Sequence, residues 1–134
     1  MSTPSPPVVG IFNSSEDTTT LLRLAFEQAG FLAVTAFTHA IRDGHVALDA
    51  WIRQHRPDVI VYDIALPYDA NWRLFQNIKS SPACNGITFV LTTTNTLRVR
   101  EATGETASLH EIVGKPYDLQ QLIDLVRNAL SKRP

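Results

Sequence analysis

Cysteine occurs once in this chain, as Cys84, so no internal disulfide can form and a reducing compartment is expected. Long hydrophobic runs are also missing. No apolar stretch approaches the roughly 18 residues that a membrane span needs, and the opening MSTPSPP lacks the basic and apolar regions of a secretory leader. A soluble, unprocessed, cytoplasmic protein without membrane contact is therefore expected. Charge of one sign is scarce too: 12 Lys and Arg against 13 Asp and Glu leave a formal net charge of -1. Such a balance generates no field that would gather nucleic acid or anionic lipid. Histidines 39, 45, 55 and 110 are scattered without metal-ligand spacing or a cysteine partner, which assigns them surface or structural roles.

What is present is the composition of an ordinary globular domain, 44% hydrophobic and 19% charged over 134 residues. That length supports one core without staples. The Pro- and Ser-rich residues 1–7 and the closing residues 132–134 are expected to be disordered tails on a single domain running from 8 to 131. Within it, five short runs rich in β-branched and aromatic residues predict strands at 8–12, 31–37, 58–63, 87–91 and 110–114. Helical spacing lies between and after them, in Leu21, Leu22, Ala25, Phe26 and Ala29, in Ala47, Ala50, Trp51 and Ile52, in Leu74, Phe75 and Ile78, and in Leu119, Leu122, Ile123, Val126 and Leu130. Ser14 with Asp17 reads as a capping box, and Gly30 stands where the first helix would end. Residues 95–108, with Gly104 and three Thr, predict only a short or mobile fourth helix.

Strands alternating with helices, several of them apolar on both faces, predict an α/β fold: a doubly wound, five-stranded parallel sheet flanked by helices. Ligands of such sheets sit at the carboxyl ends of the strands. The residues expected just past those ends are Asn13 and Ser14, Asp63, Thr92 and Thr93, and Lys115.

Three of these ends form a set. Asp63 in VIVYDIALP with Pro67 four residues on, Thr92 in FVLTTT, and Lys115-Pro116 in IVGKPYDL together resemble the response-regulator receiver family of two-component signalling, over essentially the entire domain. The resemblance implies a flavodoxin-like receiver fold and a stand-alone phosphorelay module rather than an enzyme. It implies Asp63 as phosphoryl acceptor, Lys115 as the cation and Thr92 as the hydroxyl that contact phosphoryl oxygens, because transfer to a carboxylate rests on positioned charge. It also implies Mg²⁺ near Asp63, the Ala65 carbonyl, Asn13 and Ser14. The family's acidic pair falls on Asn13 and Ser14, so this metal is expected to be held weakly and phosphorylation to be altered or weakened. Thr93 stands at a position the family usually keeps very small, and Ile112 replaces an aromatic that commonly couples phosphorylation to output. The implied partners are a sensor histidine kinase or phosphotransfer protein and an output protein docked on the face around the fourth helix, fifth strand and last helix. A homodimer is a further option.

Each residue also has a plainer reading. Asp63 alone would be a turn residue, Thr92 a β-branched strand end, Lys115 a surface lysine, and Asn13 with Ser14 or Ser15 a helix cap. One alternative function keeps the fold as a phosphate-independent binding module. Another is a flavodoxin-like cofactor binder using the hydroxyl-rich NSSEDTTT, although that stretch lacks glycine and carries Glu16 and Asp17. A hydrolase with Asp63 as nucleophile lacks a recognisable base.

Overall fold

The computed structural model describes residues 5–94, 97, 101, 111–114 and 118–131, with the backbone alone for 111–114. Five strands, β1 (Val8–Asn13), β2 (Leu32–Phe37), β3 (Val59–Ile64), β4 (Thr88–Thr93) and β5 (Glu111–Gly114), form one parallel sheet in the order β2-β1-β3-β4-β5. Among the described residues five helices accompany it: α1 (Glu16–Gln28), α2 (Thr38–Arg42), α3 (Leu48–His55), α4 (Tyr68–Lys79) and α5 (Leu119–Ser131). This is the α/β class the alternating pattern predicts. Of the predicted helix over 95–108 only Leu97 and Glu101 are described, both helical; the rest falls outside the described residues.

Period-two alternation divides the core in two. Val9, Ile11, Val59, Val61 and Val90 face Leu22 and Phe26 of α1 and Leu122 and Val126 of α5. Phe12, Ile60, Tyr62, Phe89 and Leu91 face Ile52 of α3 and Trp72, Phe75 and Ile78 of α4. Strands buried on both sides read as continuous apolar runs, which is why the sequence betrays them.

One correction concerns a local signal. The cap of α1 is Ser15, whose Oγ accepts from the Thr18 N–H at 3.2 Å, one residue beyond the Ser14–Asp17 box expected from sequence. Ser14 is instead consumed by the turn leaving β1. The far end of α1 closes as expected at Gly30, where φ is +96°. There Gly30 N–H donates to the Glu27 carbonyl and Phe31 N–H to the Phe26 carbonyl, while the Phe26 and Phe31 rings meet edge to face at 5.2 Å. Paired backbone bonds with an apolar clasp make a Schellman ending, and only glycine enters that backbone region without strain.

Among the described residues, the hydroxyl of Tyr62 is the one buried side-chain polar group without a hydrogen-bond partner. Burial, and then the nearby Asp63 charge, push its phenol pKa well above the usual value. A buried orphan hydroxyl costs about 1–3 kcal/mol, so Tyr62→Phe is expected to raise stability by about 1 kcal/mol. Urea unfolding followed by circular dichroism reads this as a higher midpoint at unchanged slope. A lower midpoint would mean that the hydroxyl has a partner in solution.

Candidate functional site

The site grows out of strand register. β3 pairs with β4 so that Asp63 stands opposite Thr92, and β1 pairs with β3 through Phe12 and Tyr62, which brings Asn13 to the adjacent position. Three polar residues thus lie in a row across β1, β3 and β4 at the carboxyl end of the sheet, continuing the stripe that faces α1 and α5. The predicted strands stop before Asn13 and Thr92 and end on Asp63. The structure carries each strand further, so that Asn13 closes β1 while Asp63 and Thr92 are followed by a last pair, Ile64 and Thr93, because the backbone pairing continues after the apolar pattern has stopped.

Burial is nearly complete: Asn13 is 2% exposed, Asp63 7% and Thr92 0%. The Thr92 hydroxyl donates to Asp63 Oδ1 at 2.7 Å. A charge-assisted bond of that length to a buried carboxylate is among the stronger single hydrogen bonds a protein makes. Asn13 serves the turn into α1, its Oδ1 accepting from the Ser15 N–H at 2.9 Å. Such a bond from an Asn side chain to the backbone two residues on is how this residue type starts a turn. Thr93 is also fully buried. Lys115 and the Ile112 side chain fall outside the described residues.

Two contacts in the loop after β3 escaped the sequence reading. Asn71, in the first turn of α4, donates its Nδ2 to the Ala65 carbonyl at 2.7 Å. Tyr68 shares a 2.7 Å hydrogen bond with Thr94 Oγ1 and so links the segments after β3 and β4. Neither follows a motif; the only signal is a polar side chain one helical turn from a strand end.

For Mg²⁺, the four positions named from sequence offer one carboxylate and three neutral oxygens. Three of these donors, Asn13 Oδ1, Asp63 Oδ1 and the Ala65 carbonyl, already accept internal hydrogen bonds. Mg²⁺ favours charged oxygen ligands in near-ideal octahedral geometry, so this set, with one carboxylate, would hold it weakly. Among the described residues no group of three or more His, Cys, Asp or Glu is placed to hold a metal.

Beside Asp63 a cleft of about 460 Å³ opens between α2 and α4. Arg42 from α2 and Arg73 and Asn71 from α4 line it together with Ser14. Arg42 is bonded to Asp43 at 2.9 Å, which raises the guanidinium pKa and lowers that of the carboxyl. Two of the histidines make ring contacts, His39 stacking on Phe37 at 5.3 Å and His55 packing against Trp51 at 4.6 Å, while His110 falls outside the described residues. Cys84 is buried, which pushes its thiol up to about 11 and keeps it protonated at neutral pH.

With this geometry in hand, known proteins agree. The family model for the response regulator receiver domain matches residues 9–127. Protein Rrf1 of Nitratidesulfovibrio vulgaris is 30% identical over 129 residues, covering 94% of this chain and 84% of its own. Among solved structures, a putative response regulator from Chloroflexus aurantiacus superposes with a TM-score of 0.72 at 19% identity, over 95% of this chain and 99% of its own. The chemotaxis protein CheY4 of Vibrio cholerae does so with a TM-score of 0.68 at 20% identity, over 92% and 98%. At these identities the two structures bear on the fold alone, whereas the family model spans nearly all of the sheet and its helices. The chain belongs to the response-regulator receiver family.

Proposed function

We propose that this protein is a receiver module of a two-component phosphorelay that signals by binding a partner protein, with Asp63 as phosphoryl acceptor and its phosphorylation weakened. The observation that carries this is the register-locked pair of Asp63 and Thr92, bonded at 2.7 Å at the carboxyl end of the two central strands. A carboxylate held there beside an open cleft is accessible to a phosphoryl group, and the Thr92 hydroxyl is in reach to follow it. Lys115 supplies the compensating cation in this reading. Weakening follows from neutral Asn13 and Ser14 and from the hydrogen bond that occupies the Ala65 carbonyl.

Upstream, the reading calls for a sensor histidine kinase or phosphotransfer protein. Downstream, it calls for an output protein docked on residues 95–108, β5 and α5, a face that lies largely outside the described residues. A cytoplasmic setting accords with the lone cysteine and with the absence, among the described residues, of any helix long and apolar enough to cross a membrane. A second reading, a phosphate-independent binding module, is favoured by the same internal hydrogen bonds that engage the metal-facing oxygens.

Trp72, buried at the start of α4 close to the cleft, reports on the choice. Tryptophan fluorescence is titrated with Mg²⁺ and then with beryllofluoride, a phosphoryl mimic, on the wild type and on Asp63→Ala. A saturable change in the wild type that vanishes in the variant is expected. No change in either protein would leave the phosphate-independent module as the function.

A further inference from the structure

We propose that the cleft between α2 and α4 binds an organic phosphate monoester of nucleotide size, without metal and without phosphoryl transfer. This goes beyond the receiver reading, since the ligand would occupy the cleft beside Asp63 and leave the carboxylate unmodified.

Two arginines set the sign of the ligand. The cleft wall carries the guanidinium groups of Arg42 and Arg73 and the carboxylate of Asp63, while the Asp43 carboxylate pairs with Arg42 at its exposed edge. The donors that would welcome a cation are engaged: the Ala65 carbonyl by Asn71, and Asp63 Oδ1 by Thr92. The lining also presents the Ser14 hydroxyl and the Asn77 amide beside the two arginines. Guanidinium groups match phosphate oxygens in geometry as well as charge.

The arginines are also available. Arg42 is held by Asp43 in a solvent-exposed pair, its side chain 59% exposed, and such pairs are weak ties that an incoming anion can share. Arg73 donates its Nε to the Asp69 carbonyl over a long 3.4 Å, a contact easily given up.

Shape and polarity set the rest of the ligand. A volume of about 460 Å³ lies in the ordinary range for small-molecule sites, and exceeds what a bare phosphate would fill. Leu66, Pro67 and Leu74 form an apolar side of the cleft, and Leu66 is 72% exposed. An exposed leucine at the lip of a cationic cleft suits a ligand with an anionic end and a flat, less polar body.

The test uses AMP as probe, with inorganic phosphate and adenosine as its two halves, followed by amide NMR shifts and Trp72 fluorescence in EDTA. AMP is expected to saturate, with shifts centred on α2 and α4, and each half to bind at least roughly tenfold more weakly. The Arg42→Gln/Arg73→Gln double variant is expected to weaken AMP by roughly tenfold or more. Both residues are exposed, so folding is preserved, and Arg73→Glu serves as an independent charge reversal. Asp63→Asn is expected to bind as tightly as the wild type or tighter, which separates this site from the beryllofluoride response. Absence of saturation, a requirement for Mg²⁺, or equal binding by the arginine variants would each overturn the proposal.

Discussion

Phe75→Ala is expected to destabilise the protein by about 3–5 kcal/mol, the range for deleting a large ring from a packed core. Phe75 is 1% exposed and joins three other rings: Tyr62 at 5.1 Å, Trp72 at 5.2 Å and Phe89 at 5.3 Å. These come from β3, α4 and β4, so the lost ring is the point at which a helix is fastened to two strands. Close packing leaves no mobile neighbour to collapse into the void, because the surrounding aromatics are stiff and already in contact. Since whole domains are stable by only about 5–15 kcal/mol, the variant loses about a fifth or more of its margin. Urea unfolding measures it directly. A loss below about 1.5 kcal/mol would show that the cluster repacks. The same cluster abuts the loop that carries Ala65 and Asn71, so the variant is also expected to loosen the cleft before it unfolds the sheet.

Thr92→Val is the second large effect. The substitution keeps shape and β-branching, so the strand is undisturbed, and removes only the hydroxyl that donates to Asp63 Oδ1 at 2.7 Å. A buried carboxylate that loses such a donor costs about 1.5–3 kcal/mol. The same substitution made in an Asp63→Ala background is expected to cost under about 1 kcal/mol, because no charge is left to be stranded. The difference between the two backgrounds is the coupling energy of the pair. Equal costs in both backgrounds would mean that Thr92 matters as a packing residue and that the bond contributes little. The beryllofluoride experiment gains from the same variants: Thr92→Val with Asp63 intact asks whether the hydroxyl serves the ligand or only the resting carboxylate.

Much of this was written in the sequence, and the boundary between what was and was not is physical. Strands buried on both faces show as unbroken apolar runs, so VVGIF and DVIVYD could be read at once. The ladders nevertheless run on through Asn13, Thr92 and Thr93, because main-chain pairing is indifferent to side-chain polarity. The polar ends of strands are therefore where a hydrophobicity reading stops short and where the chemistry sits. The five residues of α2 were missed for another reason. One short turn with Ile41 as its inward anchor is below the length at which a helical period can be recognised. Its loss hid Arg42 and His39, and with them the charge of the cleft.

The row of Asn13, Asp63 and Thr92 was legible through the spacing of three strand ends, since register follows once adjacent parallel strands share an apolar stripe. The Asn71 bond to the Ala65 carbonyl was not. It depends on the path of a loop and on one rotamer, and nothing in YDANW distinguishes that asparagine from a solvated one. The choice of Ser15 over Ser14 as cap has the same character, a shift of one residue set by how Asn13 folds the turn.

The joint at the end of α1 has a consequence for synthesis. Arg127, far along α5, donates from Nη2 to the Ala29 carbonyl at 2.7 Å, and its guanidinium lies 5.8 Å from the centre of the Phe31 ring. The clasp that stops the first helix is thus secured from the last one, 98 residues later in the chain. On a ribosome, α1 can form early, but its inward face of Leu22 and Phe26 has no α5 to cover it until residues 119–131 emerge. Until then the nascent domain carries half of its core exposed, and closure of that layer waits on the segment farthest along the sheet's wrapping order.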